Sequence, residues 1–388
     1  MRNELKRLTA QSDVAALMAS LEAEDVLAQA IRVQQIPAPT FHEHERANYI
    51  LSQLGGRDLA DVGTDAICNV YARLPGTNPG RPALLVSAHT DTVFAHDTDL
   101  TVTDQDGRVY GPGISDNSLG VAAMLALLAA MERARYQPPC DVWFVANSRE
   151  EGLGDLGGMR AVLERLQGRL GAALVIEGLG LGRVCYGGVA VRRLKLTCRG
   201  PGGHSWMQDR PPSAIHELMR LGARLADLTP PEPPRTTFNI GLIEGGTSIN
   251  TIAAEASLYL DLRSESQEAL ATLEREVRAL VEAAHVDGAT FEVTLVGERP
   301  GGQLPIDHWL VRGAGLVLEM VGVAPNYNMA STDANAVLAA DVPGVTLGIT
   351  HGGNAHRLDE YLEVAPIARG MRQLVLIALF ALQRLAVI

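Results

Sequence analysis

Groups able to bind metal or move protons recur where apolar runs of this sequence end. The run PALLVSA closes on His89, Thr90 and Asp91. A strand places residues two apart on one face, so an imidazole and a carboxylate emerge there together. A metal-bound histidine commonly gives its second ring N–H to a carboxylate or carbonyl, so His-x-Asp at a strand end reads as a ligand with its orienting group. Asp116 follows in the glycine-rich GPGISDNSLG, Glu150 and Glu151 in NSREEG, Glu177 at the end of AALVIEG, and His351 and His356 in THGGNAHRLDEYL. Each has a bland reading by itself: a helix N-cap for Asp116, a solvated turn for the adjacent glutamates, a surface loop for the late histidines. Together they form a set of imidazoles and carboxylates without thiolates, which suits zinc, cobalt or manganese. One zinc takes about three protein ligands, so five side chains sharing one carboxylate fit two ions roughly 3.5–4 Å apart.

The elements that must hold these groups follow from periodicity. The pattern predicts one amphipathic helix over 13–35 and a second from about Glu43 to Leu54. His42, Glu43 and His44 at its start read as solvated, because histidines two apart do not share a helix face. Strands are expected over 66–74 and 83–88, a hairpin over 100–110, a helix after the Asp116 loop, a strand over 141–146, a helix over 156–167 and a strand ending at Glu177. Acid and histidine clusters then sit at or near strand ends, where open α/β sheets put their sites. EGLGLG resembles a dinucleotide-binding turn, yet strand-like alternation follows it instead of the required helix.

From about Val191 the order becomes strand, helix, two strands, helix, strand, the βαββαβ arrangement of a ferredoxin-like unit. Helix and strand alternation resumes after PGG at Pro300, with helices over 308–321 and 333–339, strands near Asn326 and over 345–349, and a final helix from about Ala365. The expected organisation is α/β: a mixed-sheet catalytic domain of 1–190 and 298–388, interrupted by an inserted domain of 191–297.

With 388 residues, 47% hydrophobic and 20% charged, the chain can bury a large core without staples. Cys68, Cys140, Cys185 and Cys198 lack metal or disulfide spacing, so buried thiols in a reducing compartment are expected. The N-terminus is polar and no stretch reads as a membrane span, so the expected location is the cytoplasm. A formal charge of -12 argues against nucleic acid or anionic membrane as partner. Lysine occurs only at Lys6 and Lys195, which leaves almost no candidate for Schiff-base chemistry.

The ordered motifs SAHTDTV, GPGISDNSLGVAAML, EEGLGDLGG and AHRLDEYL, with GPGGHS, GGTSINTIAAEASLYLDLR and STDANAV, resemble the di-zinc exopeptidases and deacylases. That family includes glutamate carboxypeptidase, acetylornithine deacetylase, succinyl-diaminopimelate desuccinylase, aminoacylase and peptidase T, and the resemblance runs from about Pro37 to the C-terminus. It implies a zinc-exopeptidase-like catalytic domain whose ferredoxin-like insert is a lid that also forms a homodimer. It implies two divalent ions per subunit, zinc with cobalt or manganese as alternatives. His89, Asp116 and Glu177 would hold one ion, and Asp116, Glu151 and His356 the other. Asp91 would orient His89, and Glu150, free of metal, would take a proton from the bridging water and deliver it to the leaving amine. The resemblance further implies a cis peptide at Asp116–Asn117 and a His204 that reaches the partner's site to donate to the oxyanion. Asn250 and Arg263 would grasp a substrate carboxylate, and Asp333 would help position substrate. Trp206, where many relatives carry a small residue, would narrow or reshape the pocket.

A glutamate at the Glu177 position accompanies carboxypeptidase or N-acyl-amino-acid deacylase activity in the family. The expected reaction is therefore cleavage of an amide next to a free carboxylate, in a small peptide or an N-acyl amino acid. STDAN and the layout also resemble peptidase T, which makes a di- or tripeptide aminopeptidase the alternative. A catalytically inactive metal-binding scaffold is a third reading, disfavoured by the complete set of ligand and base positions.

Overall fold

The structure, a computed structural model, describes residues 1–206, 209 and 211–387. The chain divides into two compact units, Met1–Gly187 with Gln303–Ile388, and Gly188–Gly302. The first unit opens with helices α1 (Arg2–Thr9), α2 (Ser12–Ala19) and α3 (Ala23–Gln34), where one helix was expected over 13–35. The break falls at Ser20, whose hydroxyl donates to Leu17 O at 2.8 Å and competes with the helical backbone. The polar first residues are helical because Leu5 and Leu8, one turn apart, are both buried.

The chain continues through α4 (His44–Leu54), β1 (Ala60–Thr64), β2 (Val70–Leu74), β3 (Ala83–His89), β4 (Thr103–Gln105), β5 (Arg108–Tyr110), α5 (Leu119–Arg133), β6 (Val142–Asn147), α6 (Gly157–Arg165), β7 (Leu170–Leu179) and β8 (Arg183–Gly188). The strand expected over 66–74 starts late, because Asp65 Oδ1 accepts from Ile67 N and Asn69 N and holds a turn there. The second unit comprises β9 (Ala190–Arg199), β10 (Gly203–His204), α7 (Ala214–Ala226), β11 (Thr236–Gly245), β12 (Thr251–Ile252), β13 (Glu255–Ser264), α8 (Gln267–Glu282) and β14 (Thr290–Arg299). The chain then returns through β15 (Gly302–Gln303), α9 (Trp309–Met320), β16 (Asn326–Ala330), α10 (Ala334–Ala339), β17 (Gly344–Thr350), β18 (Gly352–Gly353), β19 (Tyr361–Glu363) and α11 (Ile367–Leu385).

The main sheet runs β1-β2-β6-β3-β7-β17-β8, with β15 and β16 against β8. Its centre, β6-β3-β7-β17, is parallel, so the C-terminal ends of these four strands share one edge. Both faces are covered, and β3 is accordingly buried at every residue. Leu84, Val86, Leu174 and Ile176 meet the cluster of α5 and α11, while Leu85, Trp143, Val145 and Val175 meet that of α6 and α10. The segment Ile114–Arg133 passes the length and hydropathy test for a membrane span, which corrects the expectation that no stretch does; its apolar window is 83% buried inside the protein, as befits a core helix. A small antiparallel sheet, β18-β19-β5-β4, lies beside the strand ends.

In the second unit the antiparallel sheet order is β11-β13-β9-β14. Leu218, Leu221 and Leu225 of α7 and Leu270, Leu273 and Val277 of α8 pack with Leu194, Leu196, Leu258 and Leu260 in one cluster. Ion pairs cross its strands, among them Arg193–Asp261 and Arg199 with Glu255 and Glu292. β11 is an edge strand and exposed over most of its length.

Candidate metal centre

His89 ends β3 and is 2% exposed. Its Nε2 lies 3.1 Å from Asp116 Oδ1 and 3.6 Å from Glu177 Oε2. The second oxygen of Asp116, Oδ2, lies 3.1 Å from His356 Nε2, which also meets Glu151 Oε1 at 2.9 Å. Two donor triads result, His89 with Asp116 and Glu177, and Asp116 with Glu151 and His356, each with its donor atoms within 4.8 Å of one another. Asp116 serves both through different oxygens, the arrangement of a carboxylate that bridges two cations. Imidazole nitrogens and carboxylate oxygens without thiolate fit zinc, cobalt or manganese, and three protein donors each leave room for water or substrate. Glu150, 5% exposed, also belongs to a group with His89 and Glu151.

The protein groups perturb one another strongly. Hydrogen bonds to Asp116 and then Glu151 push His356 up to about 10. Burial opposes charging of His89, but the Glu177 charge and the contact with Asp116 override it and hold the imidazole well above its ordinary value. Burial raises Glu177, whereas the two histidines overcome burial at Asp116 and lower it. A cation in each triad would replace those protons, so metal loading would be linked to proton release.

Asp91 meets His89 through two groups. His89 Nδ1 donates to the main-chain O of Asp91 at 3.1 Å, and the Asp91 carboxylate stands 3.7 Å away. That carboxylate also accepts from Glu150 N and Glu151 N, each at 2.9 Å, and from Thr40 Oγ1 at 2.9 Å. Asp91 thus orients the imidazole through its carbonyl and fixes the Glu150–Glu151 turn through its side chain. Thr90 O accepts from the buried Arg46 Nη1 at 2.7 Å, which pins the same turn from α4.

The Asp116–Asn117 peptide is cis. Asn117 Nδ2 donates to Ile176 O at 2.8 Å and Asn117 Oδ1 accepts from Gly178 N at 2.9 Å, so the Asp116 loop is clamped to β7 on both sides of Glu177. On the other side the Glu360 carboxylate accepts from Gly113 N, Ser115 N, Ser115 Oγ and Asp116 N. Sequence reading gave no role to Thr40, Arg46, Glu360 or the side chain of Asn117, although it placed a cis bond at Asp116–Asn117. Asn117 and Glu360 stood inside the motifs GPGISDNSLG and AHRLDEYL, one and four residues from ligands, and that adjacency was the available signal.

One further expectation changes. Glu43 is buried, not solvated, and accepts from Phe41 N at 3.0 Å and Arg149 N at 3.2 Å, while His42 and His44 are exposed. Asp333 is 0% exposed and accepts from Asn147 Nδ2, at the end of β6, at 2.7 Å. Burial pushes its carboxyl up to about 7. His351 is exposed and belongs to neither triad.

In the second unit, His204 is exposed on β10, and its Nδ1 accepts from Trp206 N at 3.2 Å, which leaves Nε2 to carry the proton. Asn250 is also exposed, and its main-chain O accepts from Ser205 N at 3.0 Å. Trp206 is 90% exposed beside them. Arg263 lies near the opposite end of β13, eight residues from Glu255, and binds Asp261 Oδ2 at 2.7 Å. At about 3.3 Å per residue that is roughly 26 Å of strand, so the unit brings His204 and Asn250 together and holds Arg263 apart.

The profile of "Peptidase family M20/M25/M40" matches residues 85–379, more than half of the chain. The chain is 28% identical over 332 residues to the acetylornithine deacetylase of Myxococcus xanthus, covering 80% of this chain and 83% of that one. It is 26% identical over 327 residues to the aminoacylase-1 of Sus scrofa, covering 76% and 79%. Its fold superposes on the Bacillus subtilis protein YXEP, a dinuclear metal-binding peptidase of the M20 family, with a TM-score of 0.67 and 17% identity over 93% of this chain and 98% of that one.

Proposed function

The chain belongs to peptidase family M20/M25/M40 and is a metallo-amidohydrolase or peptidase; from that premise we propose that it cleaves an amide next to a free carboxylate, in an N-acyl amino acid or a small peptide. The observation that carries this reading is Asp116, whose two oxygens address His89 and His356 separately at 3.1 Å each. His89, Asp116 and Glu177 would hold one divalent ion and Asp116, Glu151 and His356 the other, with zinc as the first candidate. Bound there, the ion pair lowers the pKa of water and polarises the scissile carbonyl.

The remaining work falls to side chains. Glu150, anchored at its main-chain N–H by Asp91, takes the proton of the attacking water and returns it to the leaving amine. His204 donates its Nε2 proton to the developing oxyanion, and Asn250 and Arg263 recognise the substrate carboxylate. Because Arg263 stands far from His204 and Asn250 within one unit, the three serve one substrate when two copies contribute. The exposed edge of β11, with Leu242 and Ile243 both exposed, supports a homodimer through this unit. The names of the acetylornithine deacetylase and aminoacylase relatives support an N-acyl amino acid as substrate class.

The test is a panel of N-acyl amino acids, their C-terminal amides, and free-amine di- and tripeptides, run with zinc and with cobalt. Cleavage of the N-acyl amino acids, lost when the carboxylate is amidated, is the expected outcome. Turnover confined to free-amine peptides, indifferent to the C-terminus, would make the protein an aminopeptidase. No turnover with both ions bound would leave a scaffold.

A further inference from the structure

The ligands stand on two kinds of support. His89 and Glu177 lie on β3 and β7, inside the main sheet, whereas Asp116 and His356 lie on loops that follow β5 and precede β19. Glu360, four residues after His356, is 0% exposed and joins those loops. Its Oε1 accepts from Ser115 N at 2.8 Å, Ser115 Oγ at 2.6 Å and Asp116 N at 2.9 Å, and its Oε2 accepts from Gly113 N at 3.1 Å. Its main-chain O accepts from Gly111 N at 2.9 Å. A carboxylate only accepts, and here three donors converge on Oε1 and one on Oε2. Glu360 belongs to neither donor triad. It acts on the ligands by fixing the backbone that carries them.

We propose that Glu360 is a positioning residue that sets the affinity of the ion held by Asp116, Glu151 and His356, and much less that of the ion held by His89, Asp116 and Glu177. Two of the three ligands of the former ride on the loops it joins; two of the three ligands of the latter ride on strands. This role rests on the two-ion reading. Glu360→Gln keeps one oxygen and turns an N–H toward a backbone N–H that had an acceptor, so a buried donor loses its partner. Ser115→Ala removes one of the four side-chain bonds and leaves the carboxylate.

The experiment is zinc titration in competition with a colorimetric chelator, on wild type, Glu360→Gln and Ser115→Ala, with thermal melts of the metal-free proteins as a folding check. Wild type should take two ions. Glu360→Gln should weaken one ion by at least about tenfold and leave the other within about twofold, and Ser115→Ala should weaken the same ion severalfold. In a His356→Ala background, Glu360→Gln should leave the remaining ion unchanged, which assigns the affected ion. Equal weakening of both ions, or of neither, overturns the role; if Glu360→Gln does not fold, Ser115→Ala carries the same comparison. A wild-type protein that takes one ion overturns the two-ion reading itself and this role with it.

Discussion

Asp333 shows how far a residue's chemistry is set by burial. Its carboxyl, raised by burial to about 7, binds a proton more tightly in the folded chain than in the unfolded one. Stability from this group is therefore fully present below the ordinary carboxylate pKa of about 4, and is lost as pH rises through about 7. Asp333→Asn cannot ionise, so in the metal-free protein it should match wild type near pH 4 and exceed it above pH 7 by on the order of a few kcal/mol. Denaturant melts across that range check this; parallel curves would contradict it. The sequence placed Asp333 in a motif but could not show it buried, because its partner Asn147 is 186 residues away. Glu43 was misread for the same reason, since one of its donors is Arg149 N. His89 and Asp91 were legible because their spacing of two is local. That the imidazole lies closer to the carbonyl, at 3.1 Å, than to the carboxylate, at 3.7 Å, goes with Glu150 N and Glu151 N binding the carboxylate, which no local pattern carries.

Among the elements, the parallel strands were the most legible, because buried β3, β6 and β7 read as apolar runs that stop at the site. The burial of α5 depends on packing and was not, and the break at Ser20 turns on one hydroxyl bond to Leu17 O that periodicity does not register. The Asp116 loop and β7 are packed without slack: a Cβ at Gly178 would lie 2.0 Å from Ser115 O and 3.0 Å from Leu119 Cβ. Gly178→Ala should therefore push the loop off the strand, cost about 2–3 kcal/mol in thermal or denaturant melts and lower metal content. Gly63→Ala, whose Cβ meets nothing within 4 Å, is the control and should stay within about 0.5 kcal/mol. Equal stability of the two variants would contradict the packing account.

At the scale of the whole molecule, the inserted βαββαβ unit was legible from the order of its patterns, whereas the exposed edge of β11 is a property of the assembled sheet. If that edge joins two copies, Leu242→Arg should shift the protein from dimer to monomer in light scattering and depress turnover, with metal content unchanged. If His204 acts across the dimer, equal mixtures of His204→Ala and Glu150→Ala subunits should recover about a quarter of wild-type activity, since half the dimers then carry one complete site. No recovery in verified mixed dimers would rule out action in trans. The central claim, a two-ion amidohydrolase with Glu150 as its base, is tested most directly by measuring metal content per subunit and hydrolysis of N-acyl amino acids side by side in wild type and Glu150→Ala. The account predicts about two ions per subunit in both proteins, with turnover falling by about a hundredfold or more in the variant. One ion per subunit in wild type, or undiminished turnover in Glu150→Ala, would contradict it.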